Sequence, residues 1–222
     1  MIDMHSHILP GLDDGATDWD EALAMARVAV EDGIAEMVCT PHWVLGKYEN
    51  DRETVLLRFA EFEERLAAEK IPLKIHTGTE LRIDTSIPDR LKDGRLLTLN
   101  NGSGYVLLEL PDETMPENLH EFFWNLQING YRPILSHVER NPYFRENPHR
   151  LVHMLVTDTH SLQMRKPQLS GARRVIENLA GPETATRMVC DTPRRILKGE
   201  HVPVIDPLPL HEERRKKWWQ GK

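Results

Sequence analysis

Short apolar runs alternate with amphipathic stretches along most of this chain. Ile2–Met4, Glu36–Cys39, Leu73–His76, Tyr105–Leu108, Arg132–Leu135 and Leu151–Val156 read as six short strands. Between them lie helical patterns. Thr17–Asp20 has the form of an N-terminal cap, and Ala22, Leu23, Ala26 and Ala29 follow at helical spacing until Gly33. From Arg52 to Lys70, Val55, Leu56, Phe59, Phe62 and Leu66 fall on one face, which predicts a helix. Leu119–Asn129 predicts another, closed by Gly130, and three more are expected near 167–179, 182–189 and 192–198. The tail from Gly199 is rich in proline and charge and reads as irregular. Without repeats or a low-complexity linker, the simplest organisation is one domain over 1–198 and an irregular tail over 199–222.

Strand–helix alternation makes this an α/β chain with a parallel sheet, open or closed into a barrel. Polar residues gather at the C-terminal ends of the strands: His5, His7, His42, Glu80, Glu109, His137, Asp158 and His160. Barrel folds build their sites at those ends. A doubly wound sheet concentrates its site at one switch point, so ligand types at six strand ends favour a ring.

Composition narrows the function. The chain has 222 residues, 40% hydrophobic and 28% charged, with a net charge of −7. That balance argues against nucleic acid as a partner. No apolar run is long enough to span a membrane, and the candidate motif starts at the N-terminus, leaving no room for a cleaved leader. Only Cys39 and Cys190 occur, in no paired spacing, so a reducing cytoplasm is expected. Neither is followed by arginine six positions on, which excludes the C-x5-R loop of cysteine-dependent phosphatases.

His5 and His7 are one residue apart, and in an extended strand residues i and i+2 share a face. Adding Asp14 on the following loop gives five histidines and four carboxylates. One four-coordinate zinc uses only three or four protein groups, so nine candidate ligands suit two or three ions. Clustered divalent ions suit phosphate-ester hydrolysis, because they stabilise both the attacking and the leaving oxygen.

Asp3-Met4-His5-Ser6-His7 with Asp13-Asp14-Gly15, then Thr40-Pro41-His42, Gly78-Thr79-Glu80, Leu108-Glu109, Ser136-His137-Val138-Glu139-Arg140 and Thr157-Asp158-Thr159-His160-Ser161, appear in order. This series resembles the PHP (polymerase and histidinol phosphatase) family, and more narrowly its bacterial capsule and exopolysaccharide protein-tyrosine phosphatases. The resemblance implies a distorted (β/α)7 barrel, a three-metal centre and hydrolysis of phosphotyrosine. It assigns His5, His7, Glu80 and Asp158 to a first metal. Glu80, Glu109 and His137 go to a second, and Asp14, His42 and His160 to a third. Arg140 and Arg165 match arginines that hold the substrate phosphate, for which a guanidinium fork is suited. His42 is also a candidate to protonate the leaving oxygen. Three divalent ions per chain are expected, manganese first, with iron, zinc or magnesium admitted by the mixed ligands. The implied substrate is a phosphotyrosine protein, a bacterial tyrosine kinase controlling polysaccharide export. Two other readings stand beside it: a small-molecule phosphomonoesterase of the histidinol-phosphate type, and an inactive metal-binding interaction protein.

The interval from His137 to Asp158 is shorter than in relatives, which carry a further βα unit there. Roughly 40 residues of the pattern are absent between about 141 and 151, since a βαβ crossover takes about 30 residues or more. A homo-oligomer filling that gap is a further expectation. His76, His120, His149, His153, His201 and His211 fall outside the blocks and read as surface or structural. Met25 and Met37 read as core, and Arg214–Trp219 as a frayed tail rather than a basic-aromatic patch.

Overall fold

The computed structural model describes residues 1–111, 114–146 and 153–203. Strand β1 (Ile2–Ser6) is followed by α1 (Trp19–Glu31), β2 (Glu36–Cys39), β3 (His42–Val44) and β4 (Tyr48–Glu49). Then come α2 (Arg52–Ala68), β5 (Lys74–Thr77), β6 (Glu80–Arg82), α3 (Ile87–Lys92) and β7 (Tyr105–Glu109). The rest comprises α4 (Leu119–Ile128), β8 (Arg132–Leu135), α5 (Pro142–Glu146), α6 (Ser170–Ala180), α7 (Pro182–Thr186) and α8 (Thr192–Leu197).

Two sheets result. One is parallel, in the order β1-β2-β5. The other runs β4-β3-β6-β7-β8, parallel except for the β3–β4 hairpin. Thr40-Pro41 separates β2 from β3, and Gly78-Thr79 separates β5 from β6. Each pair is therefore one path broken at its centre. The chain returns to β1 at Thr159, which bridges Ser6 in parallel. Among the described residues β8 pairs only with β7.

Local sequence sets the helices. Asp18 caps α1 by accepting the Glu21 N–H, and Asp51 caps α2 by accepting the Thr54 N–H. Their apolar faces bury Ala22, Met25, Ala26, Ala29, Val55, Phe62 and Leu66 against Met37, Cys39 and Ile75 of the three-stranded sheet. On the other side, Ile2, Met4, Val38, Tyr105 and Leu107 meet Ile196 and Leu197 of α8. A third cluster packs Trp43, Leu81, Val106 and Leu108 beneath Ile87 and Leu91 of α3 and Leu126 of α4. Successive residues of β7 thus serve opposite layers, as a strand's two-residue period requires.

Several expectations need correction. Residues 153–156 form no strand, and Leu151 and Val152 lie outside the described residues. The Leu155 N–H donates to the Met188 carbonyl, so this stretch joins the C-terminal helices rather than a sheet. Only Thr157–Thr159 run along β1. Glu80 opens β6 rather than closing the preceding strand, and β3, β4 and α3 were not expected. The two helices placed at 182–189 and 192–198 are one path, joined by a π-type turn at Arg187–Asp191. The short interval after His137 holds one turn, Val138–Arg140, and α5, as its length demands. Residues 199–203 carry neither strand nor helix, and 204–222, with Arg214–Trp219 and His211, lie outside the described residues, as does His149.

Candidate metal centre

The pairing of β1 with β2 loses step between Asp3 and Ser6, which align with Met37 and Cys39. Three steps of β1 oppose two of β2. Such a bulge re-aims side chains, and here it lies under the H-x-H pair. His5 and His7 are buried with their Nε2 atoms 3.0 Å apart. Next to them the Asp13-Asp14-Gly15 turn folds back under His7. The Ala16 N–H donates to the His7 carbonyl at 3.0 Å, and a Cβ on Gly15 would lie 2.0 Å from that carbonyl oxygen. No side chain fits there, which is why the turn carries glycine.

All nine candidate ligands converge. His5 Nε2 lies 3.2 Å from Glu80 Oε2 and 3.4 Å from Asp158 Oδ1; His7 Nε2 lies 3.4 and 3.5 Å from the same atoms. His137 Nε2 is 3.0 Å from Glu80 Oε1 and 3.8 Å from Glu109 Oε1. His42 Nδ1 approaches Glu80 Oε2 at 3.0 Å and Glu109 Oε2 at 3.8 Å, while its Nε2 lies 3.5 Å from Asp14 Oδ1. His160 Nε2 reaches the same Asp14 oxygen at 3.5 Å. Three sets have ligand atoms within 4.8 Å of one another: His5, His7 and Glu80; His42, Glu80 and Glu109; and His7, Asp14, His42 and His160. The sets share His7, His42 and Glu80. His42 thus turns its two ring nitrogens to different sets, whereas the family pattern gave it to one.

The residues fit cations. His5 Nδ1, His42 Nδ1, Glu80 Oε2, Glu109 Oε2 and Asp158 Oδ1 are buried without a hydrogen bond of good geometry. Buried polar atoms are normally satisfied, so five such atoms in one cluster mark a place built for positive charge. Harder carboxylate oxygens mixed with imidazoles suit first-row divalent ions.

Electrostatics agree. Burial works to raise the Glu80 pKa, but the His5 charge and hydrogen bonds from His137, His42 and His5 hold it well below the ordinary carboxylate value. Burial works to lower His7, yet hydrogen bonds to Asp13, Asp158 and Glu80 keep it well above the usual imidazole value. For His137, burial is likewise outweighed by Glu80, and its pKa rises. His160 is pushed down to about 4, chiefly by burial and then by the His7 charge. These carboxylates stay ionised and draw positive charge toward themselves.

Supporting groups were missed by sequence reasoning. Asp13 Oδ2 lies 2.7 Å from His7 Nδ1 and accepts the His42 backbone N–H at 2.8 Å. Ser136 donates its hydroxyl to Glu80 Oε1. Asp3 accepts the backbone N–H and hydroxyl of Thr157, tying β1 to the segment bearing Asp158. The adjacent carboxylates Asp13 and Asp14 were the available signal: one faces the cluster and the other supports it. Tyr48, Lys47 and Arg82 line the cavity of about 340 Å³ that opens onto the site, and were also missed. His76 is structural, as expected: it is buried between Glu36 (2.8 Å) and Asn100 (3.2 Å). His120, His153 and His201 are exposed.

Arg140 and Arg165 also line the cavity, and both donate to Asp158 Oδ2. His137 and Asp158 adopt left-handed backbone conformations, φ 24° and 49°. Such angles are uncommon outside glycine and gather at functional sites.

A mixed α/β fold thus presents a His/carboxylate cluster able to hold several cations beside a cavity edged by arginines. The chain belongs to the capsular polysaccharide synthesis CpsB/CapC family, whose model matches residues 1–151. It is 41% identical over 155 residues to the tyrosine-protein phosphatase YwqE of Bacillus subtilis, covering 70% of this chain and 61% of that one. It is 33% identical over 147 residues to the putative tyrosine-protein phosphatase CapC of Staphylococcus aureus, covering 66% and 57%. These matches span less than two thirds of either relative. Against the tyrosine-protein phosphatase CpsB of Streptococcus pneumoniae, identity is 25% over 242 positions, covering 90% of this chain and 99% of the relative. Nine tenths of 222 residues is about 200, so roughly 40 aligned positions have no counterpart here. A solved structure from work on YwqE and pneumococcal CpsB, described there as unique metal-dependent tyrosine phosphatases, superposes with a TM-score of 0.87. It is 30% identical over 96% of this chain and 100% of that one. No described helix is long and apolar enough to cross a membrane.

Proposed function

We propose that the protein is a metal-dependent phosphatase of protein phosphotyrosine. The observation that carries this reading is the convergence of nine ligands, six of them lining a cavity that Arg140 and Arg165 also line. Family membership and the names of the relatives support it. The wall of strands is read as a PHP-type distorted barrel with one βα unit fewer, carried by residues 1–198. Three ions, manganese first, are assigned to His5, His7, Glu80 and Asp158; to Glu80, Glu109 and His137; and to Asp14, His42 and His160. A bacterial tyrosine kinase of polysaccharide export is the proposed substrate. The free thiols Cys39 and Cys190 fit a cytoplasmic setting.

Bound divalent ions would supply Lewis acidity for the phosphoryl oxygens and lower the pKa of an attacking water. The chain's own groups do the rest. Arg140 and Arg165, half-exposed at the rim, exchange part of their hold on Asp158 for two phosphate oxygens. Asp158 stays ionised, its pKa held far down by His7, His5 and Arg165 against the upward push of burial. Hydrolysis forms a bond from water oxygen to phosphorus and breaks the bond from phosphorus to the phenolic oxygen. A phenol has a pKa near 10, so it leaves as phenolate and needs no strong general acid.

The test is turnover of a phosphotyrosine peptide and of p-nitrophenyl phosphate, with chelation and His5→Ala as controls. Activity surviving both controls would overturn the metal mechanism. The roughly 40 missing positions favour one competing reading, an inactive metal-binding protein. It predicts metal by elemental analysis with no phosphoester turnover. Faster turnover of histidinol phosphate than of phosphotyrosine would favour a small-molecule enzyme instead.

A further inference from the structure

The β3–β4 hairpin carries His42 at one end and Tyr48 at the other, with Val44 paired to Tyr48 in register. The Tyr48 ring lies nearly parallel to the His42 ring, at 6° and a centroid separation of 5.9 Å. The Lys47 ammonium lies 4.5 Å from the Tyr48 centroid. Val44 and Tyr48 are only half-buried, and both line the same cavity as Arg140 and Arg165. The lining therefore combines cationic groups, among them Arg140 and Arg165, with an aliphatic side chain and a held aromatic ring.

We infer that Tyr48, with Val44, forms the subsite for the aromatic leaving group, and so makes the site select aryl over short alkyl phosphomonoesters. The inference rests on the phosphatase reading and adds the residues that choose among monoesters. A phosphoryl group held by Arg140 and Arg165 shares its cavity with Val44 and Tyr48, which can receive the ester group. The ring of a phosphotyrosine can pack on both, and offset or edge contacts between aromatic rings favour it over an alkyl group. A serine phosphate has a two-atom arm and would leave Val44 and Tyr48 uncovered. Because His42 and Lys47 already hold the Tyr48 ring, little side-chain freedom is lost when a substrate ring packs beside it.

The test uses the metal-loaded protein and two inert ligands, phenylphosphonate and methylphosphonate, titrated by calorimetry. Tyr48→Ala should weaken phenylphosphonate roughly 3- to 10-fold and leave methylphosphonate unchanged, while Tyr48→Phe binds both as the native chain does. On a phosphotyrosine peptide the alanine variant should raise KM by a similar factor, with kcat little moved. Elemental analysis checks that metal content is retained. Equal weakening of both phosphonates, which marks a merely structural role through His42, would overturn the inference. So would no weakening of either, or a native chain with no preference for the phenyl ligand. A native chain that prefers phenylphosphonate but hydrolyses no phosphotyrosine peptide would sink the phosphatase reading and leave the aryl subsite standing.

Discussion

Asp13 holds the metal-facing His7 from behind, with Asp13 Oδ2 2.7 Å from His7 Nδ1. Burial works to raise the Asp13 pKa, but the hydrogen bond and charge of His7 hold it below the ordinary value. An ionised Asp13 keeps the proton on Nδ1 and leaves Nε2 facing Glu80 and Asp158. Groups that hold a ligand in this way commonly affect metal affinity 10- to 100-fold. Asp13→Ala should weaken metal binding by about that factor, measured by competition with a chelator. Unchanged affinity would make Asp13 a loop residue only.

The metal-free protein should lose stability as pH rises above 6.5. His7 and His137 have folded pKa values above the ordinary 6.5. Their stabilisation is complete below 6.5 and fades as pH climbs through the folded values. Below that pH, Asp3 and His160 act in opposite senses. Asp3, raised by burial to about 6, favours low pH; His160, lowered to about 4, opposes it. Metal binding needs neutral imidazoles, so the stability gained from added metal should grow over the same rise. Thermal unfolding with and without chelator from pH 6.5 to 8.5 reads both trends. A metal-free midpoint that climbs over this range would contradict the assignment.

Gly15→Ala should damage the centre without touching a ligand. Its Cβ would sit 2.0 Å from the His7 carbonyl oxygen, so backbone must move. Overpacking of this kind costs about 1–3 kcal/mol, and the displaced strand end carries His7. Chemical denaturation should show the loss, with reduced metal content beside it. A stable, fully loaded variant would mean that the turn can relax.

How far the sequence foretold this site follows from element length. The H-x-H pair, Glu109 and His137 follow apolar runs of three to five residues, which a two-residue period reveals. Strands β3 and β6 are three residues long and β4 is two, too short for any period, so the pattern puts Glu80 after a strand when it opens one. The run 153–156 is apolar, but its amide at Leu155 is bonded to a helix, and tertiary contact overrode the pattern. Asp13 and Ser136 act through distances that no spacing rule contains.

Pro133 bears on self-association. The N–H groups of Arg132 and Ser136 donate to Gly104 and Leu108, toward β7. By alternation, positions 133 and 135 face the other edge, and proline offers no N–H there. Proline is a common means of blunting such an edge. Pro133→Val should therefore increase oligomerisation, read by size-exclusion chromatography with light scattering. A variant with the native elution profile would show the edge is guarded by something else.

The seam between β1 and Thr159 sets an order of events for the nascent chain. The Asp158 N–H donates to the His5 carbonyl, and the His7 N–H to the Thr159 carbonyl. Their sequence separation of about 150 residues is among the longest that the fold must close, and such closures come late and slowly. Synthesis runs from the N-terminus. Strand β1 therefore waits for a segment made about 150 residues later, and the full ligand set exists only once His160 has been made.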